Sequence, residues 1–200
     1  MERRKNKRNK IKSVTFRIRG RIFYLFYLYN INEVISMSNY YEIKKNSVGN
    51  WLGISVSIYF SGCPIRCKGC FNSVAWNPNS GQEFTDKVKD EVFKELEKSY
   101  YDNLVILGGE PTAEYNIETV TELAKEFKEK FPNKKLIVFS GHVIEDIYDY
   151  KLLKYTDILV DGQFIEELYS PLLFFKGSSN QRTIDVQETL KTGKVVLYHE

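Results

Sequence analysis

Cysteine is scarce in this chain of 200 residues: there are three, against 14 tyrosines and 13 phenylalanines. All three fall close together, as Cys63, Cys67 and Cys70 in the stretch SGCPIRCKGCFN. A disulfide framework wants an even number of cysteines spread along a short secreted chain. An odd cluster excludes it and points to a metal in a reducing compartment. Histidine is scarcer still, with only His142 and His199. A structural zinc site needs four protein ligands, usually as two separated pairs, and neither histidine lies at such a spacing from the thiols. His199 is expected to be merely solvated near a frayed end. Long apolar runs are missing too. The unbroken stretch Ile22 to Tyr29 is far short of the roughly 20 residues a membrane span needs, and no small-residue cleavage site follows it.

Basic charge is lacking from the body of the chain. Residues 1–36 hold ten Lys and Arg against Glu2 and Glu33, which leaves residues 37–200 only 19 of the 29 basic residues but 24 of the 26 acidic ones. The body is therefore mildly acidic and offers no broad basic face to nucleic acid; neither a nucleic-acid nor a membrane partner is expected. The basic leader has three readings: a secretion signal or anchor, a basic arm for a partner, or an upstream extension without fixed structure ahead of a start at Met37. The last is the simplest, and residues 37–200 are taken as the folded domain. At 42% hydrophobic and 28% charged residues, the composition is that of a soluble globular protein.

From Met37 onward, strand and helix patterns alternate. Ile54 to Phe60 (ISVSIYF) is β-branched and aromatic and runs straight into the cysteine loop. Thr85 is placed to cap a helix in which Val88, Val92, Phe93 and Leu96 share one face. Leu104 to Leu107 reads as a strand covered on both faces. A helix over Ile117 to Phe131 buries Val120, Leu123, Ala124 and Phe127 and stops at Pro132. Leu136 to Phe139 and Asp157 to Val160 read as further strands, with a helix between them over Ile144 to Lys154. This order implies mostly parallel strands with right-handed crossovers. The count is too small for a full eight-fold barrel, so an incomplete, open β/α barrel is expected, with a flavodoxin-like open sheet as the alternative. Working residues in such folds gather at the carboxyl ends of strands. There the sequence places four polar, glycine-containing loops: SGC, GGEP, SGH and DGQF.

Thiolates select zinc or an iron–sulfur cluster. A four-iron cluster ordinarily takes four cysteines, so three leave one iron open to an outside ligand. A zinc with three thiolates and an open position is the alternative. Gly108, Gly109, Glu110 and Pro111 form the second element of the pattern: glycine lets backbone approach a bound molecule closely, and Glu110 offers a carboxylate to an ammonium. Alone, GGEP would read as a turn.

The cysteine spacing resembles that of the radical S-adenosylmethionine (SAM) superfamily, and GGEP resembles its GGE motif. SGCPIRCKGCFNSVAWNPNSGQEFT is similar, more narrowly, to the activating proteins of anaerobic ribonucleotide reductase, which share the Gly before the third Cys, the Asn two after it, the Trp (Trp76) and the Ser-Gly-Gln-x-Phe segment (Ser80 to Phe84). LGGEP, VFSGH, ILVDGQFIEEL and Phe174 to Arg182 fit the same family, so the likeness covers roughly Met37 to Leu190. It departs at NSVGNWLGIS, where the family commonly has Gly-Pro-Gly-x-Arg, and at His142, read as a structural or rim residue.

The resemblance implies a [4Fe-4S] cluster on Cys63, Cys67 and Cys70, and SAM contacts from Gly69, Cys70, Phe71, Gly108, Gly109 and Glu110. It also implies a cytoplasmic oxidoreductase in which an electron, from a donor such as flavodoxin, cleaves SAM to methionine and a 5′-deoxyadenosyl radical. That radical takes a hydrogen from one glycine of the class III reductase, leaving a glycyl radical. No catalytic side chain beyond the cluster and SAM is implied. Gly177 to Asn180 reads as a loop closing the fold, with a partner or SAM contact as the alternative. Other hypotheses are a different small radical SAM enzyme, such as another glycyl-radical activase or a deazapurine-forming enzyme, and a zinc-binding module.

Overall fold

The computed structural model describes residues 12–18, 21–27 and 38–198. The chain divides into two units, Met1–Ile35 and Ser36–Glu200. In the first, strands β1 (Lys12–Ile18) and β2 (Arg21–Tyr27) pair antiparallel, Phe16 opposite Phe23. The expectation that residues 1–36 lack fixed structure does not describe this strand pair; the rest of the leader lies outside the described residues, as does His199. Among the described residues no helix is long and apolar enough to cross a membrane.

In the second unit the elements run β3 (Asn39–Ser47), β4 (Ser55–Phe60), β5 (Gln82–Glu83), α1 (Asp86–Leu96), β6 (Asn103–Gly108), α2 (Ile117–Lys130), β7 (Lys135–Phe139), β8 (Ile158–Asp161), β9 (Arg182–Asp185) and α3 (Val186–Thr192). The seven strands make one open sheet in the order β5-β3-β4-β6-β7-β8-β9. β4, β6, β7 and β8 are parallel neighbours, while β3, β5 and β9 join antiparallel. The expected parallel order thus describes the centre of the sheet and not its edges.

Alternation along the central strands sorts their side chains onto two faces. Val56, Ile58, Phe60, Leu104, Ile106, Leu136, Val138 and Leu159 point to the face that packs against Val92, Phe93 and Leu96 of α1, Val120, Leu123, Ala124 and Phe127 of α2, and Val186 of α3. Each such side chain, fully buried, stabilises the fold by about 1.5–3 kcal/mol relative to exposure, so this layer dominates stability. The intervening residues Tyr59, Val105, Leu107, Ile137 and Ile158 meet no helix. Trp51, Phe175 and Tyr198 cover them instead, with the Trp51 ring 4.7 Å from Phe175 and 5.4 Å from Tyr198. A flavodoxin-like sheet would carry helices on both faces, and this one does not.

Helix ends follow their capping signals. The Thr85 hydroxyl accepts from Val88 N–H at 3.4 Å, and Asp185 caps α3 by accepting from Glu188 N–H at 3.0 Å. The helix expected over Ile144 to Lys154 is instead two single 3-10 turns, Ile144–Asp146 and Lys151–Lys154. Its buried residues, Ile144, Ile147, Leu152 and Leu153, step by three and then by five, so no single helical stripe could bury them all. The edge strand β9 is locked to the parallel centre by Arg182, whose Nε donates to the buried Asp161 at 2.9 Å and whose Nη1 donates to Glu145 at 2.9 Å. Asp161 also accepts from Ile144 N–H at 2.8 Å.

Candidate metal centre

The four loops read from the sequence do meet. A pocket of about 120 Å³ is lined by Cys63, Cys67 and Cys70 after β4, Gly108, Gly109 and Glu110 at the end of β6, Ser140 and Gly141 after β7, and Gly162 and Phe164 after β8. Leu107, Phe139 and Gln181 form walls common to it and to a second cavity of about 320 Å³, which adds Phe71, Tyr59, Asn50 and Lys176. The two make one cleft, the second part being large enough for a small organic ligand. A larger groove, about 770 Å³ between α2 and residues 150–155, is lined by Glu114, Glu118, Glu122 and Lys125 and holds no thiol; size does not locate the chemistry here.

Cys63 and Cys67 are buried and Cys70 is partly exposed. Burial pushes the Cys63 thiol up, while the backbone N–H groups of Arg66 and Ile65 pull it the other way. Cys70 Sγ accepts from Asn72 N–H at 3.4 Å. Among the described residues, no three His, Cys, Asp or Glu side chains gather tightly enough for a single metal ion. The thiols nonetheless line one wall of one pocket, an arrangement that suits a cluster whose cysteines bind separate irons better than a lone zinc.

Opposite the thiols, Glu110 is 1% exposed. Its Oε1 accepts from Thr112 N–H (3.0 Å), Thr112 Oγ1 (2.7 Å) and Ser140 Oγ (3.0 Å), and its Oε2 accepts from Gly141 N–H at 2.7 Å. The carboxylate is thereby aimed, with acceptor capacity left on Oε2. Gly109 brings the two loops together: a Cβ on it would stand 2.3 Å from the carbonyl oxygen of Gly62. Gly109 N–H donates to Phe60 O and Glu110 N–H to Gly62 O, each at 2.7 Å. Buried Asn116 adds a clamp, its Nδ2 donating to Ser61 O (2.9 Å) and Glu110 O (3.0 Å).

Gly69 and Phe71 are placed differently from the other predicted residues. Gly69 takes φ +70°, which favours glycine, and faces outward beneath Glu166. Phe71 is 69% exposed, with its ring 5.3 Å from Phe164 and 5.6 Å from Tyr169. The rings of Phe71, Phe164 and Tyr169 form an apolar rim at the cleft, and Lys68 ties the cysteine loop to Glu166 (3.0 Å) and Glu167 (3.2 Å) beside it.

A sequence profile described as a 4Fe-4S single cluster domain matches residues 50–184. The anaerobic ribonucleoside-triphosphate reductase-activating protein of Enterobacteria phage T4 is 35% identical over 144 residues, which is 72% of this chain and 92% of that protein. The chain belongs to this family. The proteins of the same name from Vibrio cholerae and Escherichia coli K12 are 33% and 29% identical over 147 residues, covering 72% of this chain and 95% and 96% of theirs. The family's cysteine loop and GGE segment are thus the parts that the fold brings face to face.

Other motifs take structural places. Gln181 Oε1 accepts from Gly177 N–H (2.9 Å) and Ser178 N–H (3.1 Å), while its Nε2 donates to Gly162 O at 2.9 Å. Asn180 donates to Gln163 O at 2.8 Å. Residues 177–181 therefore lace the chain to the DGQF loop, as a closing loop should, and Gly177 and Gln181 also wall the cleft. His142 contributes its backbone, its carbonyl accepting from Gly162 N–H at 3.2 Å. Where the family commonly has Gly-Pro-Gly-x-Arg, Trp51 is buried and Asn50 enters the cleft, donating to Ser57 Oγ and Tyr59 OH at 3.0 Å. The carboxyl-end rule placed Ser140 on the rim as part of the SGH loop without giving it a role, and the sequence reading missed Asn50, Asn116 and Gln181 as site residues.

Proposed function

We propose that the chain activates an anaerobic class III ribonucleotide reductase as a radical SAM enzyme, its open sheet serving as an incomplete barrel around the cleft. The observation that carries this reading is the convergence of the three-thiol loop and the aimed Glu110 on one pocket, in a chain of this family. Cys63, Cys67 and Cys70 hold a [4Fe-4S] cluster. When bound, with an electron from a donor such as flavodoxin, the cluster supplies reductive cleavage of SAM to methionine and 5′-deoxyadenosine, with a glycyl radical left on the reductase.

The residues of this chain bind and orient. Glu110 receives the ammonium of SAM, a charge-assisted contact that its four donors keep in place. Gly108 and Gly109 let the backbone lie close beside it, and Cys70 and Phe71 form the opposite side. The apolar walls Leu107, Phe139 and Phe164 exclude water from the cleft. The exposed rings of Phe71 and Tyr169 at the mouth suit a protein partner, because an apolar rim on an otherwise charged surface favours contact with another chain. Three unpaired cysteines and a need for a low-potential donor would suit a cytoplasmic location.

Anaerobic reconstitution tests the reading. Iron and sulfide in the ratio of a four-iron cluster, 5′-deoxyadenosine formed from SAM and reductant, and a glycyl electron-spin-resonance signal only when the reductase is added are the expected results. A lone zinc without inorganic sulfide, or a loaded chain that leaves SAM intact, overturns it.

A further inference from the structure

Asn72 opens the 3-10 turn Ser73–Ala75. At such a position an asparagine ordinarily turns back to cap a backbone N–H; this one makes no such bond. Its Oδ1 accepts the hydroxyl of Tyr41, on β3, at 3.0 Å, while its own N–H donates to Cys70 Sγ at 3.4 Å. Asn72 walls both parts of the cleft. Tyr41 is itself held, its ring 5.4 Å from that of Tyr59, and burial raises its phenol pKa, so the hydroxyl remains a donor throughout the physiological range. Nothing in the function proposed above uses it.

We propose that Tyr41 is a positioning residue for the metal centre: its hydroxyl holds Asn72, and with it the N–H···S bond to Cys70, and so sets the reduction potential of the cluster. The inference rests on the cluster part of the proposed function. Hydrogen bonds to the sulfurs help set the potential of an iron–sulfur centre, and partners behind a ligand govern its orientation. An N–H aimed at a thiolate disperses negative charge and favours the reduced, more negative state. Releasing Asn72 weakens that bond and lowers the potential. Tyr41 lies 22 or more residues from the cysteines in sequence, on β3 between the short β5 and β4, where nothing in the local sequence marks it, and the tertiary bond alone reveals the connection.

The test uses the full chain, reconstituted anaerobically, with the cluster titrated at controlled potential and followed by electron spin resonance. Tyr41→Phe keeps the ring against Tyr59 and removes only the hydroxyl. The expected result is an unchanged melting temperature and unchanged iron and sulfide content, with the ratio of reduced to oxidised cluster at a fixed applied potential falling about threefold. In an Asn72→Ala background, the same change at Tyr41 should have no further effect. An unchanged potential in Tyr41→Phe overturns the proposal, as does an equal shift in both backgrounds. Should Tyr41→Phe fail to load a cluster, Asn72→Ala must fail likewise; an Asn72→Ala chain that loads then overturns it. The two readings fail separately: a parent chain that loads and titrates but leaves the reductase inactive defeats activation, whereas an unchanged potential defeats only the role of Tyr41.

Discussion

The two faces of the sheet use alternate residues of the same strands and are covered by different means. On one, Val56, Ile58, Leu104 and Ile106 lie under helices whose apolar stripes match them. On the other, Tyr59, Val105 and Leu107 lie under Trp51, Phe175 and Tyr198 from irregular segments, and the carboxyl end of that face holds the thiols and Glu110. The helical face is built for stability. The loop-covered face leaves room for ligands at one end and draws on residues distant in sequence to close the other. A substitution should therefore act on folding or on chemistry according to the face it occupies.

The comparison breaks most sharply at Cys67→Ala, which should abolish cluster assembly and SAM cleavage while changing the stability of the metal-free chain by about 1 kcal/mol or less. SAM cleavage at the parental rate by that variant would refute the ligand assignment. Leu123→Ala, on α2 beneath the helical face, should do the reverse: a loss of about 3 kcal/mol in denaturant unfolding, with the cluster and SAM affinity of the remaining folded chain intact. A Leu123 variant of normal stability would show that the helical face is not the stabilising layer. Glu110→Gln should sharpen the picture within the site, weakening SAM binding about tenfold through loss of the charge-assisted contact while cluster content is kept. Undiminished affinity by calorimetry would leave the carboxylate with a structural role only.

The smallest effect concerns acid. Arg182 holds the Glu145 carboxyl down to about 2 from 4.5. Its contribution to stability is whole above the ordinary carboxylate range and is lost as the pH falls from about 4.5 toward about 2. Glu145 is 53% exposed, so screening keeps the contribution small. Glu145→Gln should make the acid limb of the unfolding curve slightly shallower without altering SAM cleavage at neutral pH; an identical acid limb would show the pair to be inert.

The helical face was largely legible in the sequence. Thr85, the stripe of α2 and the run Leu104 to Leu107 each carry a periodic or capping signal and mark elements that are present, whereas the helix expected over Ile144 to Lys154 on the same face is two 3-10 turns. The antiparallel additions were not. β3 reads NYYEIKKNS, with one face half-exposed and no clean alternation, and β5 has two residues. Edge pairings of this kind depend on the neighbour strand rather than on local pattern. In the site, the cysteines and GGE could be read because their chemistry is concentrated in short segments. Tyr41 and Asn116 could not, because they act only through tertiary hydrogen bonds, Tyr41 through one to Asn72 and Asn116 through two to Ser61 and Glu110. Gly69 shows the remaining gap: its sequence position suggested a ligand contact, and in the fold it lies beneath Glu166.

The backbone-to-backbone contact of Gly109 on Gly62 has a consequence for binding. Two main chains already in touch cannot move closer, and the bond from Glu110 N–H to Gly62 O resists their parting, so a guest that reaches both the sulfurs and the carboxylate meets loops already held at their nearest approach.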